Sequence, residues 1–446
     1  MKAVVVGGGC AGLTAAHTLH RNGYDVTVYE RADQAGGRMS SYKKDGFVVD
    51  VAAQLVHPGY KMARKVMEEL GILDQLINFD LQGMKIYFNG DWIRPNPAPD
   101  DPKEMAKTGA WINYMGEENF KRFAGWIVSR CKEDMYEGSV EWMLDLDSGG
   151  NFEDFVRKEF GGKVVEGVVQ PVMASICITN PNDVGIGLGA QICWTVLCGE
   201  AAVLKYGIGD MADKIVEELG EKMITGTQVK SIVIKDNAVR GIETDKGFIE
   251  ADTVICATQA NITLKIIPDL PEVMKNVLSK VTYCRTIAAL IFVDKEMEAN
   301  GQIGGILPGY TGSPFASFLF QAASHSDVLI PKGKDCISAF LYGDGCDKYW
   351  NASDKEITDA VVKQLQEVLP HMPKEILSSK IFRIPEAVYT MHTGVASIIK
   401  DMRDNHYKDV KGLYLCGEYM YTGSYESAIC SGRRAAEVIL GRSDTI

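Results

Sequence analysis

The stretch from residue 3 to residue 38 constrains this chain more than any other. An apolar strand runs into the loop Gly7-Gly8-Gly9-Cys10-Ala11-Gly12; a helix, a second strand ending at Glu30, and the doublet Gly36-Gly37 followed by Arg38 come next. In a strand, turn and helix of this kind Gly7 permits the tight turn, Gly9 lets the backbone approach a pyrophosphate, and Gly12 lets the helix pack close on the sheet. The helix N-terminus then faces the anion. Glu30 follows Gly12 by 18 positions, near where a dinucleotide fold sets a carboxylate against the adenosine ribose hydroxyls and repels a 2′-phosphate. The pattern predicts a nucleotide pocket that is not built for NADP.

With 446 residues the chain has room for a large buried core, and 47 basic against 59 acidic side chains give a net charge of −12. That balance argues against nucleic acid as a partner and against bulk attraction to anionic lipid. A first strand starting at residue 2 predicts no signal peptide. Residues 184–199 are uncharged but interrupted by glycines, too short a run for a membrane span. Contact with a membrane surface, and a homo-oligomer, stay open. Eleven cysteines without a Cys-x-x-Cys pair predict reduced thiols in a cytoplasmic protein. Cys416 and Cys430 are candidate redox thiols, although an isolated cysteine is ordinarily a small core hydrophobe.

Further on, residues 46–50 read as a strand entering the loop 51–54. Apolar residues at helical spacing over 61–76, 102–130 and 151–175 predict a mainly helical middle. A helix at 211–219 and strands at 226–232, 239–244, 248–250 and 251–258 follow. Residues 287–293 and 336–341 read as buried strands, and Ser353 with Glu356 as the capping box of a helix reaching residue 369. Near the end, a strand at 412–418 leads through the loop 419–424 to a small-residue helix start at Glu426, whose first amides would meet a ligand. No repeat or low-complexity linker is present, so the domains are expected to interleave.

Taken together, the glycine loop, Glu30, Gly36-Gly37-Arg38, the Val229 strand, the Cys256-Ala257-Thr258 strand end, Gly417-Glu418 and Ser431-Gly432-Arg433 resemble the FAD-dependent superfamily of flavin amine oxidases, protoporphyrinogen oxidases and phytoene desaturases. The likeness is clear over residues 1–55, 205–260 and 412–446. It implies an α/β fold in which a Rossmann-like FAD-binding domain (GR2-type; 1–60, 203–265 and 405–446) interleaves with a mixed-sheet substrate domain (266–404) and a mainly helical subdomain (61–202). It also implies that Gly7, Gly9, Cys10, Ala11 and Gly12 hold the FAD diphosphate, Glu30 and Arg31 flank the adenosine ribose, and Gly36, Gly37 and Arg38 reach the diphosphate and ribityl chain. Val229 would sit beside the adenine, Gly417 and Glu418 by the ribityl or phosphate oxygens, and Ser427 and Ala428 at the isoalloxazine edge. Where many relatives carry a glycine after the position of Asp50, this chain has Ala52 and Ala53, whose methyls would narrow the pocket.

The chemistry so implied is dehydrogenation of a small, largely apolar organic substrate, by desaturation or oxidation, with electrons passing to oxygen or another acceptor. An amine oxidase releasing imine and hydrogen peroxide is the alternative within catalysis; a non-catalytic flavoprotein scaffold and a flavin-assisted isomerase are further alternatives. No metal-ligand spacing is present. His57 and His392 are acid–base candidates beside the commoner reading of a structural histidine, and Tyr419, Tyr421 and Tyr425 would frame an aromatic cage if they are not simply packing. Residues 184–204 suit an apolar pocket wall or an interface.

Overall fold

The computed structural model describes residues 2–96, 101–131, 135, 139–299, 301–405 and 408–443. Its organising element is a parallel sheet of five strands in the order Leu413–Leu415, Thr253–Cys256, Lys2–Val6, Asp25–Tyr29 and Met223–Ile224. Ala3, Val4, Val5 and Val6 are buried because both faces are covered, Ala3 and Val5 by helices and Val4 and Val6 by apolar residues that include Val229, Ile232, Val239 and Ile242, so the first strand is apolar throughout rather than alternating. The helix Cys10–Arg21 lies on one face, where Ala11, Ala15 and Ala16 keep its buried side small enough for close contact with the sheet and with the helix Tyr425–Ile439.

That contact has no room for a methyl group at two points. A Cβ on Gly12 would collide with the carbonyl oxygen of Gly7, and a Cβ on Gly432 with the carbonyl oxygen of Ala11. The two glycines thus set how deep the helix sits. Beside the sheet, the strands Val229–Lys235, Ala238–Thr244 and Gly247–Glu250 form an antiparallel meander. Its first hairpin turns through Asp236 and Asn237, both at φ 54°, the left-handed pair that a two-residue hairpin loop requires.

A second, mixed sheet has seven strands in the order Ser378–Tyr389, Tyr283–Val293, Asp335–Leu341, Phe315–Phe320, Gly304–Ile306, Met84–Phe88 and Asp91–Ile93. The helix Asp354–Val368 covers it with Ile357, Val361 and Leu365, and the capping box at Ser353 and Glu356 forms as expected. Residues 84–93 depart from the expected helical middle, since two short strands leave it to join this sheet. The glycine pair Gly304 and Gly305 explains the docking: a Cβ on Gly305 would strike the Trp92 ring, which stacks edge-on against Phe318 at 5.6 Å.

Apart from the strand Leu76–Asp80, which pairs antiparallel with Glu200–Leu204, the rest of the middle is mainly helical, with helices Lys61–Glu69, Pro102–Met115, Glu117–Arg130, Phe152–Phe160, Gln170–Ile176 and Ile186–Cys198. Asp101 and Asn151 cap two of them, accepting from the amides of Glu104 (3.1 Å) and Asp154 (2.8 Å). Among the described residues no helix is long and apolar enough to cross a membrane. Replacing Gly432 by alanine should force the two helices apart and destabilise the protein by about 1–3 kcal/mol; urea denaturation of the purified variant against wild type measures it.

Candidate active site

The first strand ends at Val6, and Gly7 turns the chain at φ 104° while its amide donates to Tyr29 O at 2.9 Å. Gly9 begins the helix without a side-chain cap, so the first helical amides are left for something else, and a Cβ built on Gly9 meets nothing within 4 Å. Open space at the N-terminus of an uncapped helix is the physical signature of an anion seat. Glu30 stands at the end of the neighbouring strand. Its two oxygens accept from the amides of Gly8 (2.7 Å) and Ala32 (2.8 Å), which orients the carboxylate while leaving further lone pairs toward the cavity. Gly36 donates to Gly8 O at 2.8 Å, and Gly36 and Gly37, at φ 106° and 57°, fold the next turn back onto the loop.

Arg38 follows that turn and pairs with Glu418 at 2.7 Å, donating also to Ala387 O at 3.0 Å. Burial by itself would push the guanidinium down, but Glu418 more than offsets it and holds the cation above its ordinary value. Glu418 arrives from the other end of the chain, just past the strand Leu413–Leu415, and Gly417 donates to Ser431 Oγ at 3.0 Å. Val229, at the start of its strand, lies close by because Thr227 donates to Glu30 O at 2.9 Å.

One continuous cavity of about 1360 Å³ joins these groups, more than the ~300–1,000 Å³ of an ordinary small-molecule site. Of the expected site residues, Gly7, Gly9, Cys10, Ala11, Glu30, Arg31, Gly36, Gly37, Arg38, Val229, Gly417, Glu418 and Ala428 line it. Gly12 and Ser427 do not. Gly12 is spent on the contact with Gly7. Ser427 is turned inward, its amide donating to Ser424 Oγ at 3.1 Å and its hydroxyl accepting from Thr422 N at 3.2 Å, so the helix Tyr425–Ile439 caps itself where free amides were expected.

Away from the glycine loop the cavity widens between the helix Ile186–Cys198 and the mixed sheet. Leu188, Gln191, Ile192 and Thr195 form one helical face toward it, opposite Trp111, Phe120, Val172, Ile306, Phe318 and Phe340. Ala52 and Ala53 also line it, as does His57. Burial pushes the His57 imidazole down to about 4, and its Nδ1 accepts from Gly59 N at 3.0 Å, so the ring is neutral at pH 7. His392 lies outside the cavity. Cys416 and Cys430 are buried, and burial pushes the Cys416 thiol up, away from the thiolate that redox exchange needs.

The expected tyrosine cage does not assemble. Tyr425 reaches the cavity, but Tyr419 and Tyr421 are fully buried beneath it. Tyr421 already stacks with Arg403 at 4.7 Å and Arg434 at 5.1 Å, the chain's own cations occupying its faces. Residues that sequence reasoning missed, among them Gln191, Thr286, Ser317 and the Ala387 carbonyl, sit in runs whose local pattern gives only burial.

The model of the flavin-containing amine oxidoreductase family matches residues 10–440. The chain belongs to that family. It is 21% identical to a coproporphyrinogen III oxidase of Bacillus subtilis (strain 168) over 93% of this chain and 92% of that one. It is 22% identical to a 15-cis-phytoene desaturase of Capsicum annuum, covering 99% of this chain and 78% of the relative. In structure it is similar to the cyclohexylamine oxidase of Brevibacterium oxydans IH-35A, with a TM-score of 0.76 and 15% identity over 99% and 98% of the two chains. The oxidoreductase is thus an FAD-dependent enzyme with an α/β Rossmann-like domain beside a mixed-sheet domain. The open space at Gly9, the uncapped helix and the Arg38–Glu418 pair fit a dinucleotide cofactor.

Glu426 ties the last helix to the helix Lys61–Glu69. From the first turn of the last helix it caps the helix Lys61–Glu69, accepting from Met62 N (2.6 Å) and Ala63 N (2.8 Å), and desolvation raises its carboxyl from the ordinary 4.5 to about 7 despite those bonds. The folded state therefore holds this proton to higher pH than the unfolded chain does, and the associated stability is lost as pH rises from about 4.5 through 7. His57 works in the opposite sense below 6.5. Glu426→Gln should remove the Glu426 part alone: urea midpoints of wild type and variant, compared between pH 5 and 8, should diverge with pH, and parallel curves would refute the assignment.

Proposed function

We propose that the enzyme dehydrogenates an uncharged, lipophilic organic molecule. The observation that supports this reading is how charge is distributed along the cavity. The charged lining side chains among the described residues are Glu30, Arg31, Arg38, Lys230, Lys265, Glu386 and Glu418, together with Arg383, which stands on the mixed sheet across from Ile287 and has its guanidinium already held by Asp354 and by the carbonyls of Trp350 and Ala352. Among the described residues, the lining side chains from Leu81 to Ala201 and from Thr286 to Phe340 are all neutral. A carboxylate-rich porphyrinogen or an amino acid would carry charge into a place with no uncommitted counter-ion among the described residues, at a cost of several kcal/mol per ion.

On this reading the backbone of Gly7, Gly9, Cys10 and Ala11 holds the FAD diphosphate, Glu30 and Arg31 face the adenosine ribose, and Val229 borders the adenine. Gly36, Gly37, Arg38, Gly417 and Glu418 surround the ribityl chain, Ala428 borders the flavin edge, and Gly12 and Ser427 support the site from behind. Bound there, FAD supplies the acceptor for two electrons. The protein's own contribution is orientation and dryness: Ala52 and Ala53 on one side and Leu188, Ile192 and Phe340 on the other exclude water and hold a C–H bond in place. The neutral His57 offers no proton-transfer group that titrates near pH 7. Oxygen or another acceptor would then take the electrons. A lipophilic substrate supports work at a membrane surface, and the free state of the ten cysteines among the described residues supports a reducing, cytoplasmic setting.

Oxidation of an amine is the second reading, favoured by Tyr60 and Tyr425, which both line the cavity with ring centroids 6.4 Å apart. Anaerobic stopped flow separates the two. A neutral isoprenoid or steroid panel should bleach the flavin absorbance, while coproporphyrinogen III, L-amino acids and alkylamines should not; the reverse pattern overturns the proposal. For the cofactor, Glu30→Ala and Gly9→Val should be depleted in FAD. Because Gly9 faces open space, Gly9→Val should still fold, giving a colourless protein with native circular dichroism.

A further inference from the structure

One residue of the cavity wall is held in a backbone conformation that its side chain disfavours. Ile178 lines the cavity at φ 54°, in the left-handed region, directly after Cys177 ends the helix Gln170–Ile176. Glycine, or less often asparagine, ordinarily takes that place, and a β-branched residue there is strained. The other non-glycine residues at positive φ among those described are Asp45, Asn89, Asp236, Asn237 and Met391, none of them branched at Cβ. Strain of this kind persists only where the surroundings hold it, and it gathers at ligand sites. The surroundings here are a row across the mixed sheet, in which Ala288 pairs in register with Phe382 on one side and Phe340 on the other. Paired residues share a face, so a small residue between two rings leaves a notch. Ile178 packs in one cluster with Ala288 and Phe340, and Phe382 and Val388 pack against that cluster. Phe340 and its own partner Ser317 line the cavity whereas Ala288 does not, as expected if Ile178 covers it. Val388 adjoins Ala387, whose carbonyl receives Arg38, so this part of the wall borders the glycine-loop end.

We infer that Ile178 is a specificity-determining residue: it closes the notch over Ala288 and keeps the wall level, so that a slim isoprenoid chain is admitted and a fused-ring skeleton with projecting angular methyls is refused. The inference rests on the proposed uncharged, lipophilic substrate and deepens it. A methyl that meets a closed, well-packed wall has to displace it, and such packing yields little. Differences of one methylene in an apolar pocket are worth about tenfold or more. The branch at Cβ makes the side chain stiff at χ1, so it fills the notch in one position where a longer, unbranched side chain would swing aside. The left-handed backbone is what sets that Cβ over the sheet, and glycine or asparagine, the relaxed choices at this φ, would leave the notch open or place an amide in it.

The test uses the full-length FAD-loaded protein under anaerobic conditions and two neutral probes, geranylgeraniol and androst-4-ene-3,17-dione. Binding is followed by perturbation of the flavin absorption bands, and the steroid-to-isoprenoid ratio of Kd is the readout. In wild type the ratio should be about tenfold or more. Ile178→Gly and Ile178→Val should both lower it by tightening the steroid, glycine more than valine, while Val172→Ala, elsewhere on the wall, should leave it unchanged. Urea midpoints check the backbone: Ile178→Gly should be more stable than Ile178→Ala, the reverse of the usual order, because glycine alone is relaxed at this φ. A wild-type ratio near one, a ratio unmoved in both Ile178 variants, an equal fall in Val172→Ala, or an alanine variant more stable than the glycine one overturns the inference and leaves the lipophilic pocket standing. Failure of both probes to perturb the flavin in every variant overturns the inference and the lipophilic reading together. Loss of FAD and of native circular dichroism in Ile178→Gly and Ile178→Val alike would assign the residue to the fold and overturn its role in selection.

Discussion

The whole site depends on how closely one helix is held. Cys10–Arg21 is pressed against the parallel sheet at Gly12 and against the last helix at Gly432, and neither contact leaves space for a methyl group. Its N-terminal amides are therefore fixed relative to the strand ends on either side. Those strands come from residues 2–29, 223–256 and 413–415, so the seat exists only once both ends of the chain and its middle have met. Helix dipoles act over about one turn, and a helix displaced by the width of a methyl would aim its amides at the wrong place.

The cavity then separates two kinds of work. At the glycine-loop end, charged groups are present but organised: Arg38 is held by Glu418 and by a carbonyl, and Glu30 by two amides. Such bonds keep ionised groups tolerable where solvent is scarce. At the wide end the described lining side chains are neutral, and along the cavity the Cys10 and Cys177 thiols and the His57 imidazole are shifted by burial toward their neutral forms. The protein thus offers binding and exclusion of water rather than acid–base groups, which suits a family whose cofactor carries the electrons.

Much of the glycine-loop end was legible in the sequence because its signals are local. Gly7, Gly9, Gly36 and Gly37 answer to backbone conformation or close approach, and Glu30 stands at a fixed distance along a strand, turn and helix whose geometry is short-ranged. Other readings went astray where tertiary contacts decide. Residues 84–93 joined the second sheet because Trp92 found a slot over Gly305, a pairing across more than two hundred positions. Tyr421 is held between Arg403 and Arg434, Tyr419 is fully buried, and Ser427 was claimed by its own helix cap.

The sequence by itself determined that a glycine-rich strand, turn and helix of Rossmann-like form lies near the start of the chain, that a second strand and helix near the C-terminus complete the same sheet, and that the protein is an acidic α/β oxidoreductase using FAD. Each of these is written in residues adjacent along the chain, where steric and hydrogen-bonding rules act over a few positions. Only the tertiary structure decided which side chains share the wide end of the cavity. Gln191, Thr286, Ser317 and Phe340 lie in runs whose pattern signals nothing but burial, and burial says that a side chain is inside without saying what it faces.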